Sequence, residues 1–188
     1  MKMAKTNTNT SKVILVDCDV LSHFISNNCL ADLPKILSPH RCTIIDYVYL
    51  EISVHPLRKA FVDNLINSGD FDKKPFPNSD IAIKQEFALI KAKNHLIGDG
   101  ERACMAVAKH NKNIIASSNF KDVAPYCIAN EILYLGTLDI LLIAVNKGIY
   151  DEARCDTFIQ VAVTNNKARF PKGVTQMRYY VSKDLSFI

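Results

Sequence analysis

Val13-Ile14-Leu15-Val16-Asp17-Cys18-Asp19-Val20-Leu21 is the stretch on which the reading of this chain turns. Four consecutive apolar residues, mostly β-branched, make a strand covered on both faces, and such strands belong to parallel sheets. Asp17-Cys18-Asp19 ends the run. Val20, Leu21, Phe24 and Ile25 then recur at helical spacing, so the two aspartates sit at a strand-to-helix junction. In open parallel sheets ligands bind outside the carboxyl ends of the strands, where these acids lie.

The pattern repeats along the chain. A helix over Leu30 to Leu37 leads to a strand over Cys42 to Ile45 and a further helical segment, Asp46 to Ile52. There Tyr47, Leu50 and Val54 would share an apolar face with Glu51 at its edge. Pro56 restarts a helix through Ile66, and Ser68 to Ser79 reads as loop or short edge strand around Gly69, Pro75 and Pro77. Helices follow over Asp80 to Leu96 and, after Gly98-Asp99-Gly100, over Asp99 to His110. Asn113 to Ala116 is the next buried strand, Phe120 to Cys127 a helix, and Ile132 to Leu135 another strand. Leu138 to Asn146 is a strongly apolar helix with Gly148 at C′. Alternating short strands and helices predict an α/β fold with a mostly parallel sheet and helices on both faces over residues 12–150. Residues 151–188, with a helix over Asp151 to Val163, are expected to be an extension packed on the same domain.

Bulk properties exclude several classes. A chain of 188 residues, 48% hydrophobic, can bury one full core, which rules out a disordered protein. The net charge of +4 leans toward an anionic partner without the dense basic stripe of a dedicated nucleic-acid binder. Six cysteines form no CxxC pair, so they read as buried thiols in a reducing compartment. MKMAKTNTNTSK has no apolar core, so no signal peptide is expected, and no apolar run approaches the roughly 18 residues of a membrane span. A cytoplasmic protein is the expectation. The five histidines lack ligand spacing, and Gly98-Asp99-Gly100 lacks the lysine of a P-loop.

Three acids carry the chemistry. Mg²⁺ and Mn²⁺ prefer hard oxygen donors, so Asp17 is a candidate ligand at the end of the first strand, with Asp19 read as a helix cap or a residue supporting the ligands. Glu51 lies on an otherwise apolar segment, and Glu101 opens a helix that continues through Ala103, Cys104, Ala106 and Val107. A carboxylate at the lip of an apolar face is costly to desolvate without a cation. Taken singly, each acid is better explained by a helix edge reaching water; their joint arrangement lifts them above that reading.

In order along the chain stand the Asp17-Cys18-Asp19-Val20-Leu21 junction, Glu51, Gly100-Glu101-Arg102-Ala103, a strand into Ala116-Ser117-Ser118-Asn119, and Leu135-Gly136-Thr137-Leu138 before a leucine-rich helix. This order resembles the PIN-domain family over Val13 to Ile149. The resemblance implies a three-layer α/β/α sandwich, an acidic cluster binding Mg²⁺ or Mn²⁺, hydrolysis of RNA phosphodiester bonds, and often a role as the toxin of a toxin–antitoxin pair. Asp17, Glu51 and Glu101 would hold the ion, which would serve as Lewis acid and activate water. Many members carry aspartates where this chain has Ser117-Ser118-Asn119. Asn119 or Ser118 would then offer a neutral oxygen to orient water or phosphate, with Asp122 a turn further on. Lys121, Arg102 and Lys109 are candidate phosphate contacts, or simply members of a solvated helix face.

Two other readings compete. One is a PIN-like binding or assembly module with a weakened site, pairing with RNA, with itself or with a small antitoxin-like protein through the apolar helices around Leu50 to Leu65 and Phe87 to Leu96. The other is a haloacid-dehalogenase-like phosphatase, whose first motif fits Asp17-Cys18-Asp19-Val20. That family needs a late pair of aspartates that Ile132 to Thr137 does not supply.

Overall fold

A computed structural model describes residues 11–188; the head read as lacking a leader, apart from Ser11 and Lys12, lies outside the described residues. The strands are β1 (Val13–Val16), β2 (Arg41–Ile45), β3 (Asp72–Lys74), β4 (Ile114–Ala116) and β5 (Tyr134–Leu135). They form one sheet in the order β3-β2-β1-β4-β5, and every neighbouring pair is parallel. Ile14 to Val16 and Ile114 to Ala116 are all buried, as continuous apolar runs require when helices cover both faces. The edge strand β3 is short and carries Asp72, Lys73 and Lys74, which discourages pairing with another chain.

The helices are α1 (Cys18–Ser26), α2 (Leu33–Leu37), α3 (Asp46–Ser53), α4 (Pro56–Asn67), α5 (Ile81–Lys93), α6 (Asp99–Asn111), α7 (Val123–Ala129), α8 (Thr137–Asn146) and α9 (Glu152–Asn166). With the sheet between them they make a three-layer α/β/α sandwich. Helix α6 lies against β1, β2 and β4 with α3 and α5 beside it, while α2 meets β2 and α8. Strand order turns at β1, with β2 on one side and β4 on the other. A crevice therefore opens outside the carboxyl ends of these two strands.

Two local expectations fail for reasons that bear on this crevice. Helix α3 turns Val48 and Ile52 inward, leaving Leu50 63% and Val54 74% exposed. Its start is fixed by Asp46, whose Oδ1 accepts from the Tyr47 N–H at 2.9 Å and the Phe76 N–H at 3.0 Å, and Tyr47 packs against Phe76 and Phe87. The apolar face thus runs one residue away from the Tyr47, Leu50, Val54 set, and Glu51, beside Ile52, reaches the crevice. Helix α7 begins at Val123 rather than Phe120. The Asn119 side-chain oxygen accepts from the Asp122 N–H at 3.2 Å, a local turn that competes with helix and keeps 117–121 as a loop over β1.

After α8, Gly148 takes a φ of 66° that closes the helix. Helix α9 buries Cys155, Phe158, Ile159 and Ala162, and Phe158 meets Phe24 of α1 edge-on at 4.9 Å. Beyond it, Tyr180, Ser182 and Lys183 converge on the fully buried Asp139 of α8. Among the described residues no helix is long and apolar enough to cross a membrane.

Candidate functional site

Asp17 ends β1 and caps α1. Its Oδ1 accepts from the Cys18 N–H at 2.7 Å and its Oδ2 from the Ser117 hydroxyl at 3.0 Å. Asp19, one residue into the helix, accepts from the Val20 N–H at 2.6 Å and, through its other oxygen, from the Ser118 N–H at 2.8 Å. Glu101 arrives from the first turn of α6. One of its oxygens accepts from the Gly98 N–H at 3.3 Å and the other from the Asn119 amide at 2.8 Å. Oxygens of Asp17, Asp19 and Glu101 all lie within 4.8 Å of one another.

The loop after β4 is therefore a row of donors. Ser117, Ser118 and Asn119 each brace a different carboxylate where the family resemblance would expect a further acid. Asn119 donates its amide to Glu101 and Asp122, and its oxygen accepts from the Asp122 N–H, so it positions Glu101 rather than offering an oxygen to the cleft. Asp122 is tied to Asn94 as well, at 3.0 Å. The Ser118 hydroxyl meets that of Thr137, which also meets His23 Nδ1 at 2.9 Å.

Electrostatics mark the cluster as incomplete. Burial, then the charges of Asp19 and Glu101, hold the Asp17 carboxyl well above the usual carboxylate range. Asp19 is pushed up to about 7 by burial and by Glu101, and Glu101 is raised by burial and by its acidic neighbours despite its bonds to Asn119 and Gly98. Hard oxygen donors crowded where their charge is unwelcome suit a divalent cation. Cys18 also faces this cleft, but burial and the charges of Asp17 and Glu51 push its thiol up to about 12, so it is no nucleophile at neutral pH. Burial lowers His23 to about 4 and keeps it neutral.

Glu51 enters from α3 and lines the same cleft of about 420 Å³ as Asp17, Asp19 and Glu101, outside the tightest group of oxygens. Its Oε1 accepts from the Gly100 N–H at 2.8 Å. A Cβ on Gly100 would lie 2.8 Å from Glu51 Oε2 and 3.1 Å from Val48, so glycine in the first turn of α6 is what lets Glu51 approach this closely. The structure thus brings Asp17 and Glu101 together with Asp19 as the third member and Glu51 alongside.

Of the candidate phosphate contacts, Lys121 borders the adjoining part of the cleft. Arg102 is buried, paired with Asp99 and lying over the Phe87 ring, and Lys109 pairs with Glu86 at 2.7 Å; both face away from the acids because α6 turns those positions toward α5. Sequence reasoning did not single out Arg58, His23, Thr137, Asn166 or Lys167, which also line or support the cleft. Thr137 lies within the Leu135-Gly136-Thr137-Leu138 motif; nothing local marks the others.

No protein-family model and no curated relative matches this chain. Among solved structures, VapBC2 from Rickettsia felis, bound to a DNA fragment from its promoter, aligns with a TM-score of 0.51 at 10% identity, covering 66% of this chain and 98% of that one. The fold is PIN-like. FitAcB from Neisseria gonorrhoeae overlays more loosely, with a TM-score of 0.42 at 16% identity over 66% of this chain and 97% of that one. At such identities the likeness speaks to the PIN-like backbone alone, and the chemistry of the site rests on its own side chains.

Proposed function

We propose that this chain is a metal-dependent ribonuclease that hydrolyses RNA phosphodiester bonds, with Mg²⁺ or Mn²⁺ held by Asp17, Asp19 and Glu101 and with Glu51 beside them. One observation carries the reading. Three carboxylates from β1, α1 and α6 converge within 4.8 Å at the point where strand order turns, all three with raised proton affinity, and among the described residues none of them is ion-paired with a lysine or arginine. Replacing such a cluster's missing counter-charge with protons would waste the donor set, whereas a hard cation satisfies it.

When bound, the cation would supply Lewis acidity toward the phosphoryl group and lower the pKa of water. The chain's own residues do the rest. Ser117, the Ser118 N–H and Asn119 lock the rotamers of the three acids, so the donor set is organised before metal arrives. Neutral His23, anchored through Thr137, presents a hydrogen-bonding ring rather than a positive charge to the cleft. Gly100 lets Glu51 in close enough to take part in ordering water or phosphate.

Regulation by a small antitoxin-like protein or by self-association fits this reading. Its support is the family resemblance and the exposed Leu50, Leu57 and Phe61 on α3 and α4, with Val54 between them. A reducing, cytoplasmic setting fits the six free cysteines, five of them buried. The phosphatase reading finds little support: the aspartate nearest the end of β5, Asp139, is fully buried and bound to Tyr180, Ser182 and Lys183.

The test is cleavage of RNA by the purified chain with and without Mn²⁺. Asp17→Asn keeps one acceptor for the Cys18 N–H and should abolish Mn²⁺-dependent cleavage while leaving the circular dichroism spectrum unchanged. Cleavage at the wild-type rate in that variant would remove the metal reading. A calorimetric titration with Mn²⁺ separates this proposal from a weakened binding module, which would take up no metal.

A further inference from the structure

The cleft does not stop at the acids. One part runs from Glu51 and Arg58 past Asp17 and Asp19 to Asn165, Asn166 and Lys167. A second, of about 510 Å³, starts from the same Asp19, His23, Asn166 and Lys167 and continues past Ser118 to Asp122 as far as Arg169. Sharing four residues, the two parts make a single trench with the carboxylates on its floor.

Four cations line that trench: Arg58 on one side of the acids, and Lys121, Lys167 and Arg169 on the other. Among the described residues none of the four is ion-paired with a carboxylate. Lys59, Lys109, Arg154 and Lys183, elsewhere on the molecule, are each bound to one. The end of α9 sets where two of these cations stand. Helix α9 ends at Asn166, whose amide donates to the Ser22 carbonyl of α1 at 3.3 Å. Lys167 then adopts a left-handed φ of 55°, swinging the chain so that Lys167 and Arg169 both border the trench. The Asn166 side-chain oxygen is buried and has no partner.

Aromatic rings accompany the charges. Phe120 lines the trench next to Lys121, and Phe170 follows Arg169 and meets His23 edge-on at 6.1 Å. Cations that track a backbone, interleaved with rings on which bases can stack, are the physical signature of a single-strand site. A duplex is recognised by shape across its minor groove, whereas a single strand can bend to bring a phosphate down to carboxylates as buried as Asp17 without breaking base pairs.

We propose that Asn166 to Arg169, with Lys121 opposite, is the phosphate-binding wall for single-stranded RNA lying along this trench, Arg58 taking a phosphate on the far side of the acids. This rests on the ribonuclease reading of the same site. It makes the segment after α9 part of the substrate site rather than only packing.

The experiment uses the full chain, Mg²⁺ and a short fluorescent single-stranded RNA with phosphorothioate linkages that resist cleavage, followed by anisotropy across a salt series. Losing two phosphate contacts in a Lys167→Gln, Arg169→Gln double variant should flatten the log–log salt slope by about 1.4 and weaken binding. Lys84→Gln, an exposed position on α5 outside the trench, should leave both unchanged. Wild-type slope and affinity in the double variant, an equal loss in Lys84→Gln, or equally tight binding of a duplex of the same sequence would each overturn the proposal. Mn²⁺ uptake by calorimetry should be unchanged in the double variant; its loss would mean the segment shapes the acids instead, and would also overturn it. Should the wild type take up no Mn²⁺ while RNA binding still depends on Lys167 and Arg169, the ribonuclease reading fails and the phosphate wall stands.

Discussion

Asp19→Asn is expected to destabilise the metal-free protein in acid and to stabilise it at neutral to mildly alkaline pH. In the native fold the Asp19 carboxyl is raised from 3.8 to about 7. A group with a raised native pKa contributes stability that is complete below its unfolded value and is lost as pH climbs through the folded one. Here the loss runs from about pH 4 to pH 7 and amounts to roughly 4 kcal/mol when complete. Asparagine carries no charge and escapes that loss, but it has only one acceptor oxygen. Either the Val20 N–H or the Ser118 N–H, now bonded at 2.6 and 2.8 Å, would face an amide donor, costing about 1–2 kcal/mol. The variant should therefore be less stable than wild type by about 1–2 kcal/mol near pH 4 and more stable by about 2 kcal/mol at pH 8. Urea denaturation followed by circular dichroism in EDTA, from pH 4 to pH 8, measures both. Adding Mn²⁺ at a hundredfold excess over its Kd should return about 2.7 kcal/mol to the wild type and far less to the variant. Stability curves that stay parallel across the pH range would refute the claim that Asp19 is a strained carboxylate awaiting a counter-charge.

Gly100→Ala sets a methyl group 2.8 Å from Glu51 Oε2 and 3.1 Å from Val48, so it should cost about 1–3 kcal/mol in urea denaturation and weaken Mn²⁺ uptake by displacing Glu51. If stability falls and Mn²⁺ affinity does not, Glu51 stands outside the metal's reach. Lys183→Met removes the cation 2.7 Å from the fully buried Asp139 while Tyr180 and Ser182 still donate to it, and should cost about 2 kcal/mol. That loss should shrink in Lys183→Met, Asp139→Asn, a cycle that reads the pair directly.

The split between what was legible in the chain and what was not follows the range of the forces involved. Val13 to Val16, the helix begun at the Asp17 junction and the glycine closing α8 were readable because apolar period and helix capping act over a few residues. The mostly parallel α/β sheet covered by helices followed from their alternation, and its PIN-like character from the order of the motifs that carry the resemblance. Rotation of α3 was not readable, because Asp46 is bonded to Phe76, thirty residues away. Nor was the grouping of the acids. Asp17 and Glu101 could be singled out as carboxylates at the openings of apolar elements, yet Asp19 looked like a cap until the Ser118 N–H, 99 residues on, turned it toward them. Lys167 and Arg169 carry no local mark at all; they border the trench because α9 packs on α1 and ends in a left-handed residue. Short-range patterning sets the elements and the kind of donor at their ends. Which donors share one pocket is settled by packing, since it depends on distant backbone groups brought within hydrogen-bonding distance.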